Sequence, residues 1–286
     1  MCIIRLIGID MQLKYYLIFI ALIFIEVSFA QQNHIVILEK TNGNQVYKVS
    51  GNFPKDWIKS KWDTGYRIQN VNFKTNEWFV VMNKTEKGFS QRYMLSPSSQ
   101  QIKDKLKDGY TIQDISLYVS SNTIRRFYLF KKISVNPVSV YFFAGSPNYN
   151  HSISKEVKDG WNKGWFCKNI KSIQYKNRIA FSVLMPRKRN NEDQLIEYRA
   201  DFPHDLLSNK KSQGYKLTSI TYDQNKKSWC VVMTKKKAVK KTNGTGNIWW
   251  WETPPQTDWT WFNYKTQKSN IDDYIHNKGY SIVGLN

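Results

Sequence analysis

Apolar and polar positions alternate along this chain in short runs with a period of two, and each run is broken by a turn residue or a helical stretch. Residues 66–73, with Tyr66, Ile68, Val71 and Phe73 as the apolar set, predict one strand. Residues 77–82 predict a second after a turn at Asn76, and 91–95 a third after a loop containing Gly88. Residues 215–222 and 228–233 repeat the first two of these closely. Looser versions occur at 110–115, 126–130 and 138–142, and again at 165–170, 179–185 and 194–198.

Short amphipathic helices lie between these strand groups. Over 53–62, Trp57, Ile58 and Trp62 share one face, and Pro54 suits a first helical turn. Phe202-Pro203 opens a similar segment. Each helix ends in a glycine followed by an aromatic: Gly65-Tyr66, Gly109-Tyr110, Gly164-Trp165, Gly214-Tyr215 and Gly279-Tyr280. A large side chain, Trp62 or Trp161, precedes two of these by three residues, and Leu106 takes that place before Gly109. The glycine reads as a helix C-cap, where a positive φ costs little, so the phrase is scaffold and needs no ligand.

The glycines are 44, 55, 50 and 65 residues apart. Such periods predict a repeat architecture in which no unit buries its apolar side alone. The units run over about 50–95, 96–146, 147–200, 201–265 and 266–286. The last stops after one strand at 280–283, while 34–37 and 45–49 resemble the second and third strands of a unit. An N-terminal piece that supplies what the C-terminal piece lacks predicts closure, which would also remove exposed sheet edges. The expected fold is therefore mostly β with short linking helices, one repeat domain over 31–286 arranged as a five-unit β-propeller-like closed toroid; an open β-rich repeat array is the alternative.

Residues 1–30 stand outside this pattern. A short apolar run over 15–25 follows Lys14 and leads to Val27-Ser28-Phe29-Ala30, which reads as a signal peptide cleaved before Gln31. Met11 is an alternative start. The expected location is secreted or periplasmic, with no membrane span after leader removal and a monomeric chain. Cys167 and Cys230 remain in the mature protein and read as buried free thiols, with a disulfide as the alternative. No histidine spacing suggests a metal site, and no cofactor is called for.

Forty-three Lys and Arg against twenty-two Asp and Glu give a net charge of +21, a surface that draws anions of any kind. The basic residues concentrate at Lys235, Lys236, Lys237, Lys240 and Lys241, and at Arg187, Lys188 and Arg189 in the equivalent loop of the preceding unit. Equivalent loops fall on the same rim of a repeat array, so these are candidates for one positive patch. Trp249, Trp250, Trp251, Trp259 and Trp261 follow closely, and exposed Trp faces stack on sugars or bases.

Catalytic signals are weak. Glu192-Asp193 and Asp272-Asp273 lie in polar stretches expected to be exposed, and Asp56, Asp63, Asp108, Asp159 and Asp205 fall in or beside the helices. No nucleophile elbow or phosphate loop occurs, and no catalytic or metal-ligating residue is assigned.

The pattern Phe53-Pro54, Trp57-Ile58, Trp62, Gly65-Tyr66, then Trp78, Val80-Val81-Met82, then Gly88-Phe89, Gln91 and Tyr93 resembles a repeat domain of unknown function. That domain occurs at the C-terminus of plant casein-kinase-I-like kinases and in stand-alone bacterial proteins. The likeness spans nearly the whole mature chain and weakens in the second unit. No Gly-rich kinase loop, His-Arg-Asp or kinase-context Asp-Phe-Gly is present, so the resemblance implies a non-catalytic module with no site residues to carry over. The expected function is a binding scaffold for a glycan, a cell-surface polymer or a protein through Lys- and Trp-rich loops, with nucleic acid disfavoured. The alternative is a polysaccharide-active enzyme with carboxylates from different units.

Overall fold

The computed structural model describes residues 35–285 except 41–43, 86–88, 133–139, 146–151, 177, 188–191, 224–225, 237–241, 244–245, 248–258 and 277–279. In chain order come β1 (Ile35–Lys40), β2 (Gln45–Ser50), α1 (Lys55–Asp63), β3 (Tyr66–Lys74), β4 (Glu77–Lys84), β5 (Gln91–Leu95), α2 (Ser99–Lys107), β6 (Tyr110–Ser120) and β7 (Thr123–Lys132). There follow β8 (Val140–Gly145), α3 (Ile153–Asn162), β9 (Asn169–Tyr175), β10 (Arg178–Pro186), β11 (Glu192–Arg199), α4 (His204–Ser212), β12 (Lys216–Asp223) and β13 (Ser228–Lys236). The chain ends with β14 (Thr242–Asn243), β15 (Gly246–Asn247), β16 (Trp259–Asn263), α5 (Tyr264–His276) and β17 (Tyr280–Leu285).

Strand pairing follows one rule. In four sheets a hairpin such as β3–β4 forms two strands, and the strand preceding the helix, here β2, adds to the far side of the hairpin's second strand. The sheets are β2-β4-β3, β5-β7-β6, β8-β10-β9 and β11-β13-β12. The strand at 91–95 thus pairs with the hairpin that follows it in sequence. In the fifth sheet β1 lies between β16 and β17, so both ends of the described chain share one ladder.

The closed, propeller-like toroid expected from the sequence is corrected here. The molecule is mixed α/β, with small open antiparallel sheets, and none of the described sheets closes into a barrel or propeller. Repeat spacing and complementary end pieces specify the number of units and the pairing of the ends, but say nothing about closure. The edge argument fails for a different physical reason: side chains of the next sheet cap backbone groups on edge strands β3 and β9, as Asp114 does for the Val71 N–H and Ser219 for the Ile170 N–H.

Each helix buries one stripe on its sheet. Ile58 of α1 is fully buried, with Trp57 and Trp62 partly so, and Leu206 and Leu207 play this part in α4. Two kinds of start occur. Pro54 and Pro203 sit at the N-caps of α1 and α4 without a side-chain cap, while Ser98 and Gln101 form a reciprocal capping box on α2. The central strands β4, β7, β10 and β13 carry continuous apolar runs such as Val80-Val81-Met82, because both faces of each sheet are covered. Neighbouring sheets share cores: Ile173 and Ala180 of the third sheet pack with Phe73, Trp78, Leu117 and Phe127 of the first two.

Cys167 and Cys230 lie in one buried cluster as free thiols. Burial pushes the Cys167 thiol well above its ordinary range and Cys230 up to about 12.

Candidate functional site

The Gly-aromatic phrase organises one end of four of the described sheets. Gly65, Gly109, Gly164 and Gly214 all take a positive φ, between +77° and +87°, and each N–H closes on the carbonyl three residues back. The chain then enters its strand with the aromatic side chain at the strand's very start. Opposite that aromatic, on the middle strand, stands a cation: Lys84 faces Tyr66, Lys132 faces Tyr110, and Arg187 faces Trp165. In the fourth sheet Lys235 lies over the Tyr215 ring at 5.6 Å. All four cations are exposed.

The last turn of the helix adds a second cation in three of these places. Lys61, Lys105 and Lys210 lie 5.4–5.7 Å from the rings of Tyr66, Tyr110 and Tyr215. They also sit where the helix macrodipole favours positive charge. In the third sheet the guanidinium of Arg187 covers Trp165 at 4.4 Å. Each such contact is worth roughly 0.5–1 kcal/mol at an exposed site, so the aromatics hold the cations in place more than the cations hold the fold. Some of this charge is locally balanced, because Asp108 pairs with Lys105 at 2.7 Å, which holds its carboxyl below the usual range.

A second constellation lies where β3, β6, β9 and β12 face one another. β3, β6 and β12 each carry a bulge, after Ile68, Ile112 and Leu217, and the residue beyond it (Asn70, Asp114, Ser219) turns toward the neighbouring sheet. Asp114 accepts from the Val71 N–H at 3.3 Å and from the Asn169 amide. Ser219 Oγ accepts from the Ile170 N–H at 2.9 Å. Lys171 donates to Asn70 Oδ1 at 2.5 Å and to the Val71 carbonyl at 2.8 Å. Burial lowers the Lys171 ammonium pKa and the Asp114 charge opposes that shift.

Gln91 completes the bulge in β3. Its side chain accepts from the Ile68 N–H and donates to the Ile68 carbonyl, both at 2.8 Å. Gln194 does the same for Cys167, at 2.8 and 2.5 Å, and also accepts from Trp161 Nε1 at 3.0 Å. These contacts consume the polar groups of the centre in joining sheets. Asp114 and Lys171 therefore read as structure, since a general acid or base needs an open face toward a substrate.

A third feature is an open groove of about 430 Å3 between β2, α1 and α5, where Tyr47, Trp57, Lys48, Lys61, Lys268 and Asp272 meet. Asp272, expected as an exposed acid, is only 34% exposed at its side chain; it accepts from the Tyr47 hydroxyl and pairs with Lys268 at 2.6 Å.

Of the basic residues named from the sequence, Arg187, Lys235 and Lys236 are exposed, and Arg187 and Lys235 occupy equivalent ends of adjacent sheets. Lys188, Arg189, Lys237, Lys240, Lys241, Trp249, Trp250, Trp251 and Gly279 lie outside the described residues, as do the side chains of Trp259, Trp261 and Tyr280. The sequence reading missed Lys84 and Lys132, whose signal was a basic residue closing each Trp78-like apolar run, visible only once strand register is known. It also missed the groove, whose walls come from opposite ends of the chain.

Among the described residues no cluster of His, Cys, Asp or Glu is arranged to hold a metal, and no helix is long and apolar enough to cross a membrane. A family described only as a domain of unknown function (DUF7477) matches residues 23–124. No curated protein and no solved structure matches the chain.

Proposed function

We propose that this chain is a non-catalytic binding module for an anionic polymer outside the cell, with an acidic glycan or cell-surface polymer as the ligand class. One observation carries the reading: in four consecutive sheets an exposed cation stands over or opposite the aromatic that follows the capping glycine. A cation repeated at the same end of each unit suits a ligand with repeated negative charge, because several weak contacts add along one polymer. The leader-like N-terminus supports an exported setting, and the net charge of +21 supports an anionic partner.

Affinity electrophoresis through gels containing polygalacturonate or neutral dextran tests this. Retardation by the acidic polymer alone is expected, reduced in the variant Lys84→Gln/Lys132→Gln/Arg187→Gln/Lys235→Gln. Equal mobility in both gels overturns it.

A second reading, a polysaccharide-active enzyme, draws support from the open groove between β2, α1 and α5, where the Asp272 carboxylate meets Tyr47 and Trp57. It predicts new reducing ends when the protein is incubated with acidic polysaccharides. Their release above the blank would replace the non-catalytic reading.

A further inference from the structure

We infer that the groove between β2, α1 and α5 is a discrete subsite for one acidic pyranose, a sugar ring bearing a carboxylate or sulfate. The inference deepens the proposal above by naming the unit recognised, and it rests on that reading for the ligand being a glycan. It uses different residues from the cations at the sheet ends, Lys61 excepted.

The groove has the size of a small-ligand site, at about 430 Å3 against roughly 300–1,000 Å3 for such pockets. Its chemistry is mixed in the way a sugar requires. Tyr47 and Trp57 offer aromatic surface for the apolar face of a pyranose, and both are only partly buried. Tyr47 is held in place from two sides. Its ring stacks on Phe79 with centroids 5.3 Å apart and planes 18° from parallel, and its hydroxyl donates to Asp272. A ring fixed before the ligand arrives loses little side-chain freedom on binding.

The charges decide which sugar. Lys48, Lys61 and Lys268 line the groove against the single carboxylate of Asp272, and that carboxylate is already paired with Lys268. Two ammonium groups remain in excess, so the site favours an anionic ligand. Lys61 also lies 5.5 Å from the Tyr66 ring, which keeps its ammonium near the groove mouth. Asp272 provides an acceptor for ring hydroxyls. The occupant that satisfies aromatic faces, surplus positive charge and a carboxylate acceptor together is an acidic sugar ring.

The groove also lies at a joint. α5 packs on the β16-β1-β17 sheet, while β2 and α1 belong to the sheet β2-β4-β3. Asp272 reaches β2 from a helix whose Ile271 and Ile275 are buried, and the Tyr47–Asp272 contact spans 225 residues of sequence. The site therefore exists only when α5 is packed against β2 and α1.

Titration with tetragalacturonate and with maltotetraose, followed by tryptophan fluorescence and calorimetry, tests the inference. Tetragalacturonate is expected to bind at one site, at least tenfold more tightly than maltotetraose. Trp57→Ala and Lys48→Gln are each expected to weaken it about tenfold. Trp57→Ala also lowers the melting temperature, because Trp57 packs against the core, while Lys48→Gln, at an exposed position, leaves it little changed and keeps the test intact. Equal affinity for the neutral tetramer, unchanged affinity in both variants, or binding of AMP in preference to the uronate overturns the subsite. The quadruple cation variant at the sheet ends is expected to retain tetragalacturonate binding. Loss of polymer retention in that variant with no effect of the groove variants would sink the subsite alone. Retention of neither polymer nor tetramer by the wild-type protein would sink both readings.

Discussion

Gln91 shows how a single side chain replaces a strand. Ile68 lies beside the bulge on edge strand β3, and the Gln91 amide supplies a donor and an acceptor in one plane to its N–H and carbonyl. Gln91→Ala leaves two buried backbone groups without partners, at about 1–3 kcal/mol each. Urea denaturation should show a loss of roughly 3 kcal/mol, with Gln91→Glu intermediate because a carboxylate accepts but cannot donate. Lys74, at the end of β3, gives a pH signature. Burial lowers its ammonium from 10.5 to about 8. Between those values the unfolded chain binds the extra proton, so stability rises with pH from about 8 toward 10. Above that range the hydroxyls of Tyr93 and Tyr128, held above 10.0 by burial, reverse the trend. Lys74→Met should flatten the rise, read from melting temperatures across that range. The thiols of Cys167 and Cys230 should resist alkylation in the folded protein at pH 8 and react only on unfolding, as a quench-and-mass measurement would show.

Elements were unevenly legible in the sequence. The capping glycines announced themselves, and the four that are described take a positive φ: a Cβ built on Gly65 or Gly109 meets nothing within 4 Å, so only the backbone angle resists substitution. Gly65→Ala should cost about 1–2 kcal/mol in stability while leaving polymer affinity unchanged. The hairpins were equally plain because their period-two pattern and turn residues are local. Sheet membership was not. The strand at 91–95 follows β4 closely in sequence but pairs with β7, beyond α2, and no local pattern distinguishes the two partners. The bulges were invisible for a related reason. The step from Ile68 to Val71 breaks alternation by one residue, a phase shift whose partner, Gln91, lies 23 residues away.

At the scale of the molecule, sheets are joined by apolar cores and by a polar seam, and closure of a single β-surface is not needed to protect their edges. Asp114, Asn169, Lys171 and Ser219 cap backbone or side-chain groups of the adjoining sheet. Asp114→Ala leaves the Val71 N–H without its acceptor and removes the charge that favours the buried Lys171 ammonium, and should cost about 1–3 kcal/mol. The candidate site was half legible. The basic runs at Arg187 and Lys235 stand out in the sequence, but their equivalence to Lys84 and Lys132 depends on antiparallel register, which composition does not encode. The central claim is that these equivalent cations together bind an anionic polymer. Its most direct test is the affinity for polygalacturonate as a function of salt, in the wild-type protein and in the Lys84→Gln/Lys132→Gln/Arg187→Gln/Lys235→Gln variant. With roughly 0.5 kcal/mol from each of the four exposed cations, the variant should bind about thirtyfold more weakly at low salt. Its affinity should also fall less steeply as salt is raised. An unchanged affinity with an unchanged salt slope would contradict the claim.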